Sequence, residues 1–261
     1  MNSNYKVGSY IIPELRIGKL YLKDIEVSVL SERLFPRDKI IVGFMGSAGK
    51  EPDSSGREFQ PTNEDKELGE RIGKIVAANN AVLSNGAVWG LPYFPIRGAN
   101  LNGGYTIGIS PYPSRKLHKE RNPIKHFDLI LYTGIECLIE PRADFTLRDW
   151  INTLYIDIAI SAGGRIGTPD ECLHILEQGG IYIPIRGTGG ATDWLIEGIE
   201  KGIFNKDTGA TVIIADKTQK SLEDSVKSGI EEAQREWIAN RMMQNKFSHV
   251  ADELEKVMWL R

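Results

Sequence analysis

The spacing of apolar and polar positions changes period repeatedly along the chain, and each change marks an element. Residues 1–37 alternate around Ile17-Gly-Lys-Leu-Tyr-Leu-Lys-Asp-Ile-Glu-Val-Ser-Val29, the two-residue period of one or two short strands or a hairpin. Continuous apolar runs follow at Lys39–Met45, Ala81–Ser84, Tyr105–Ile109, Phe127–Gly134, Leu154–Ile160, Ile181–Ile185 and Ala210–Ala215, the signature of strands buried on both faces. Between them the period lengthens to that of a helix. Leu68, Ile72, Ile75 and Val76 share one face of a helix over 64–79. Further helices are predicted over 91–102 (disturbed by Pro92 and Pro95), 146–154, 172–178 and 194–201. Beyond Ser221, two amphipathic helices carry Leu222, Val226, Ile230, Ala233 and Trp237, then Phe247, Val250, Leu254 and Val257. Their apolar stripes pack on the core or face a partner subunit.

Strands alternating with helices call for an α/β fold, doubly wound, with a mainly parallel sheet covered on both faces. Residues 1–37 read as a short N-terminal β extension, and 38–261 as one domain ending in the C-terminal helices. No repeat or low-complexity tract interrupts it.

Composition adds little to this and excludes some partners. At 261 residues with 41% hydrophobic and 26% charged residues, the chain is ordinary for a soluble globular protein with a sizeable core. Net charge is −3, so nucleic acid is not an expected partner. Cys137 and Cys172 lie in or beside apolar stretches and read as reduced, buried thiols of a cytoplasmic protein. Neither a signal-peptide core nor a run long enough to span a membrane is present, so no membrane role is expected. Residues 114–126 form a basic cluster that reads as a solvated loop, or alternatively as a lid over ligand phosphates.

The candidate chemistry lies at three small-residue turns following strands. The first is Gly46-Ser-Ala-Gly49. The second is Gly163-Gly-Arg-Ile-Gly-Thr-Pro-Asp-Glu171, and the third is Arg186-Gly-Thr-Gly-Gly-Ala-Thr-Asp193. Strand, glycine turn and helix start together aim backbone N–H groups and the positive end of a helix at a phosphate. Gly46, Ser47, Gly163, Gly164, Arg165, Gly167, Thr168, Arg186, Gly187, Thr188, Gly189 and Gly190 are the candidate phosphate-binding residues, with Gly86 in the turn after the 81–84 strand. Thr168 suits an N-cap and Pro169 the first helical position. Glu171 then has two readings: the back-bonding member of a Thr168–Glu171 capping box, or a carboxylate beside a bound ligand. The four histidines, 118, 126, 174 and 249, lack metal-ligand spacing, so no metal is expected. There is no Walker lysine motif and no pyridoxal-phosphate lysine site, so no cofactor is expected.

Three segments in order are more specific. They are Asn85-Gly-Ala-Val-Trp-Gly90 with Arg97–Gly104 and Ile107–Pro111; Arg148 and Asp157 ahead of Gly167-Thr-Pro-Asp-Glu171; and Gly187–Asp193. Together they resemble the LOG-like (SLOG) Rossmann-type superfamily over residues 39–215. That superfamily includes cytokinin-nucleotide phosphoribohydrolases and nucleotide-binding sensor domains. The hydrolases' signature is Pro-Gly-Gly-x-Gly-Thr-x-x-Glu with an upstream Arg and Asp. By resemblance Glu171 is the catalytic glutamate, Arg148 the upstream arginine and Asp157 the aspartate. Gly163 stands in place of the proline, Arg165 in place of the second glycine, and Asp149 in place of the lysine after the arginine.

The resemblance implies a nucleoside 5′-monophosphate ligand and cleavage of its N-glycosidic bond to free base and ribose 5-phosphate. Glu171 would be kept ionised by the helix start and Arg148, to stabilise the oxocarbenium and activate water. It also implies a homodimer. The alternative is a non-catalytic nucleotide sensor using the same loops, toward which Arg165 and Asp149 lean. A DNA-handling role is disfavoured by the acidic balance.

Overall fold

The computed structural model describes residues 4–17, 20–49, 59–134 and 143–259. Its strands are β1 (Gly8–Ile17), β2 (Leu20–Val29), β3 (Ile41–Gly46), β4 (Val82–Asn85), β5 (Thr106–Ser110), β6 (Leu129–Tyr132), β7 (Ile158–Ala162), β8 (Ile181–Pro184) and β9 (Thr211–Val212). The helices are α1 (Asn63–Ala78), α2 (Tyr93–Leu101), α3 (Arg115–Lys119), α4 (Ala143–Tyr155), α5 (Gly167–Glu177), α6 (Gly190–Glu200), α7 (Gln219–Ala239) and α8 (Ser248–Trp259).

All the strands join one sheet in the order β1-β2-β6-β5-β4-β3-β7-β8-β9. From β3 to β9 every pairing is parallel. The N-terminal hairpin extends one edge, β2 pairing antiparallel with β6 and β1 with β2. The chain starts the parallel sheet in the middle with β3 and builds outward through β4, β5 and β6. It then returns to lay β7 against the other side of β3. The carboxyl ends of β3 and β7 therefore flank a topological switch point, where an open α/β sheet leaves a crevice for a ligand.

Both faces are covered, as continuous apolar strands require. Leu68 and Ile72 of α1, Ile96 of α2, and Leu222, Val226 and Ile230 of α7 fill one core layer. Ile151 of α4, Cys172 and Leu176 of α5, Leu195 of α6 and Leu254 of α8 fill the other. The stripes of α7 and α8 are thus spent on their own sheet.

Several boundaries differ from the sequence expectation. Leu154 and Tyr155 close α4 instead of opening the strand, and β7 begins at Ile158. The break is made by Asp157, whose carboxylate accepts hydrogen bonds from the Ile41 N–H (2.8 Å) and the Trp237 indole N–H (3.0 Å). Helix α6 starts at Gly190, not Trp194, so Thr192 and Asp193 are helical. The basic cluster is not all loop. Its first residues form α3, whose His118 is buried, with ring nitrogens 2.9 Å from Ser110 Oγ and 2.9 Å from the Pro123 carbonyl. Cys137 lies outside the described residues. Among them, no helix is long and apolar enough to cross a membrane.

Candidate functional site at the sheet switch point

A cleft of about 380 Å³ opens at the switch point, within the size range of small-molecule sites. Its walls come from the end of β3 (Phe44, Met45, Gly46, Ala48), the turn after β4 (Gly86, Val88, Pro92), α4 (Arg148, Asp149) and the start of α5 (Arg165 to Thr168, Glu171). Seven of the candidate catalytic and phosphate-binding residues line it: Gly46, Gly86, Arg148, Arg165, Gly167, Thr168 and Glu171.

The turn between β7 and α5 is built by glycine geometry. Gly163 and Gly164 have φ of +62° and +96°, where a side chain is strained. A Cβ on Gly164 would also stand 2.6 Å from the Thr168 side chain. The turn is locked to its neighbours through backbone groups. The Gly164 N–H donates to Ser47 Oγ (3.0 Å), the Gly163 N–H to Thr188 Oγ1 (2.9 Å), and the Arg165 guanidinium to the Ala48 carbonyl (3.0 Å). The three small-residue turns therefore meet at one end of the sheet. Among the described residues, the N–H groups of Arg165, Ile166 and Gly167 have no protein partner and stand at the start of α5. That is the arrangement an anion requires.

The third turn plays a different part. The Ala191 and Thr192 N–H groups of α6 donate to the carbonyls of Gly164 (3.1 Å) and Gly163 (2.8 Å). The Asp193 carboxylate accepts from the N–H groups of Gly187 and Gly189, both at 2.8 Å. Arg186 pairs with Glu200 at 2.5 Å, and Thr188 donates to the Ile185 carbonyl. These donors, expected to take a phosphate, already have partners, two of them anions of α6, Asp193 and Glu200. Gly190, with φ +60°, is packed against the Gly163–Gly164 turn. Arg186, Gly187, Thr188, Gly189 and Gly190 lie outside the cleft wall and buttress the turn that forms it.

The floor is a buried charge cluster. Arg148 donates to the Gly86 carbonyl (3.2 Å) and pairs with Asp149 at 2.5 Å. A Cβ on Gly86 would collide with the guanidinium, so only glycine admits this approach. Glu171 makes no capping box. Thr168 lies inside α5, no side chain caps the helix, and the Thr168 N–H bonds to the Arg165 carbonyl. Instead Glu171 Oε1 accepts from Asn152 Nδ2 at 3.0 Å, the two being buried together.

Burial pushes the Glu171 carboxyl up to about 8, and the neighbouring Asp149 charge adds to this. Arg148 and the Asn152 hydrogen bond oppose the shift. The expectation that the helix start and Arg148 hold Glu171 ionised is therefore overturned: desolvation outweighs both. Asp149 is also raised, by burial first, against the pull of Arg148. Burial likewise pushes the Cys172 thiol up to about 12. Asp157 is far from this chemistry, holding β3 and α7 at the opposite end of β7.

Sequence reasoning missed the apolar wall of Phe44, Met45, Val88, Pro92 and Ile166, and the positioning amide of Asn152. The last had a signal: Arg148 and Asn152 are four apart on one helix, so they share a face.

Solved structures with this architecture cover most of the chain. The structural-genomics target TM1055 is 23% identical, with a TM-score of 0.59, over 72% of this chain and 99% of its own. The molybdenum cofactor binding protein from Rippkaea orientalis is 24% identical, with a TM-score of 0.54, over 73% and 96%. DNA processing protein A from Helicobacter pylori, described by its single-stranded DNA binding mode, is 17% identical with a TM-score of 0.54, over 88% and 100%. At these identities the likeness is one of fold. It is enough to withdraw the exclusion of nucleic acid, because the same fold serves a single-stranded DNA binder and net charge does not decide the matter. No curated protein matches the chain. The model of the SLOG cluster4 family matches residues 39–238, from the lead-in to β3 to the end of α7, and the chain belongs to that family.

Proposed function

We propose that the switch-point cleft binds a small phosphate-bearing nucleotide and does not hydrolyse it at neutral pH. The phosphate would lie at the N–H groups of Arg165, Ile166 and Gly167, with Thr168 beside it, and the ring against Phe44, Val88 and Pro92. The observation that carries the binding role is the row of open N–H groups at the start of α5, on residues that line the cleft. Oxocarbenium stabilisation needs a carboxylate at the anomeric carbon, whereas burial and the Asp149 charge push the Glu171 carboxyl up toward its un-ionised form. Asp149 also takes the charge of Arg148, which the hydrolase reading needs at that carboxylate. Neighbours of this fold named for binding a cofactor or single-stranded DNA accord with such a role. A reducing compartment suits the chain, since Cys172 is a free, buried thiol.

One observation favours the phosphoribohydrolase as a second reading. A carboxyl that keeps its proton at pH 7 is a proton donor, and a departing base needs one. Incubation with a panel of nucleoside 5′-monophosphates at pH 7, followed by calorimetry and chromatography for free base, separates the two. Micromolar binding of AMP or a related monophosphate with no free base is expected; multiple turnovers to free base would establish the hydrolase. Gly86→Ala displaces Arg148 and should weaken binding about tenfold, the scale of one misplaced charged group.

A further inference from the structure

Among the described residues, two guanidiniums, Arg148 and Arg165, and three carboxyls, Asp149, Asp170 and Glu171, surround the bottom of the cleft and the turn above it. The neutralising contacts are already allotted. Arg148 is held between Asp149 and the Gly86 carbonyl, and Arg165 reaches across to the Ala48 carbonyl. Glu171 has a neutral amide, Asn152 Nδ2, on one oxygen. Among the described residues no hydrogen-bond partner stands on its second oxygen, and Glu171 lines the cleft. If Glu171 were ionised, two buried carboxylates would share one guanidinium a single helical turn below the amides that receive an anion. Adding a phosphate dianion to that arrangement brings like charges together in a poorly solvated place.

We propose that the cleft takes its anionic ligand together with one proton, held on the Glu171 carboxyl, and that this proton also selects the ligand. This rests on the nucleotide-binding reading. The proton comes from solvent and stays on Glu171 Oε2, which becomes a hydrogen-bond donor. The ligand atom nearest Glu171 must then be an acceptor, such as a ring nitrogen, a carbonyl or a sugar or phosphate oxygen. A ligand presenting an ammonium there is disfavoured. Among the described residues, the charged and titratable groups acting on Glu171 work within this frame. From α4 come Arg148 and Asp149; from its own helix, Asp170, with His174 acting on Asp149; and Cys172 stays a neutral thiol. Asp149 sets the device. It spends the charge of Arg148 and repels an ionised Glu171, a part that a lysine at this position would reverse.

The test is calorimetry with AMP at pH 6 to 9.5, in paired buffers of different ionisation enthalpy. The AMP phosphate is fully ionised from about pH 7 upward, its second pKa being about 6, so any change above pH 7 belongs to the protein. Affinity is expected to fall about tenfold between pH 7 and pH 9, since the protonated fraction of a group titrating near 8 falls by that factor. Above pH 8 the heats should report uptake of close to one proton per AMP bound. Glu171→Gln removes the charge and the titration, so its affinity should be flat from pH 7 to 9 and exceed the wild type's at pH 9. Asp149→Asn should move the break to lower pH. AMP binding in the wild type that is flat from pH 7 to 9, with no proton uptake, overturns this inference and leaves the nucleotide site standing. Failure of AMP and every other monophosphate to bind at pH 6 removes the site and the inference with it.

Discussion

At Glu171 the native chain keeps a proton that the unfolded chain releases at ordinary carboxyl pH. The folded-state value is about 8 against a reference of 4.5, so between these the native state binds more protons. The contribution of this group to stability is therefore greatest below about pH 4.5, falls as pH rises, and is lost above about 8. Each pKa unit corresponds to about 1.4 kcal/mol, which puts the effect at a few kcal/mol for a buried group. Glu171→Gln keeps the shape without the titration. Its stability relative to wild type, read from urea midpoints, should improve steadily from pH 5 to pH 8.5. A relative midpoint independent of pH would show that Glu171 is ionised in the folded chain. Little of this was legible beforehand. The family resemblance brought Arg148 and Glu171 to one place, but the sign of a carboxyl's shift depends on how deeply it is buried. Periodicity does not report the depth of one side chain beside one cleft.

Among the elements, glycine turns were easy to find and hard to assign. The turns at 163–168 and 186–190 have the same strand–turn–helix grammar, yet one leaves its helix-start amides open and the other closes its own. The Ala191 and Thr192 amides go to the Gly164 and Gly163 carbonyls, and the Gly187 and Gly189 amides to Asp193, which reads as a loop position until the helix is seen to begin at Gly190. Once it lies within the first turns of α6, its carboxylate reaches back to the Gly187 and Gly189 N–H groups. Asp193→Ala should free both amides and cost about 1 kcal/mol, the usual worth of a capping carboxylate. Calorimetry should also show loosening of the 163–164 turn as weaker AMP binding. An unchanged melting temperature would mean that these bonds do not support the turn. The parallel core followed from the alternation of elements and the longer helices from their periodicity, but the strand order was seen only in the folded chain. The boundary at 154–158 did not, because a short apolar run reads alike as the last turn of a helix or the first residues of a strand.

On the scale of the whole molecule, the cleft depends on a sheet laid down from the middle outward in two directions. Its two rims, Ser47–Ala48 and Gly164–Arg165, are bonded to each other at a sequence separation of 117 residues. Contacts of such range close large loops and form late when a chain folds, after local helices and hairpins. Recovery of AMP binding during refolding from urea should therefore lag the recovery of helical circular dichroism; simultaneous recovery would mean that the two halves of the sheet join at the outset. The switch-point geometry thus gives the site a history as well as a shape. While the chain is being made it has no binding site at all until β7 has returned to β3. From then on, occupancy by ligand certifies that both halves of the sheet have been assembled in register.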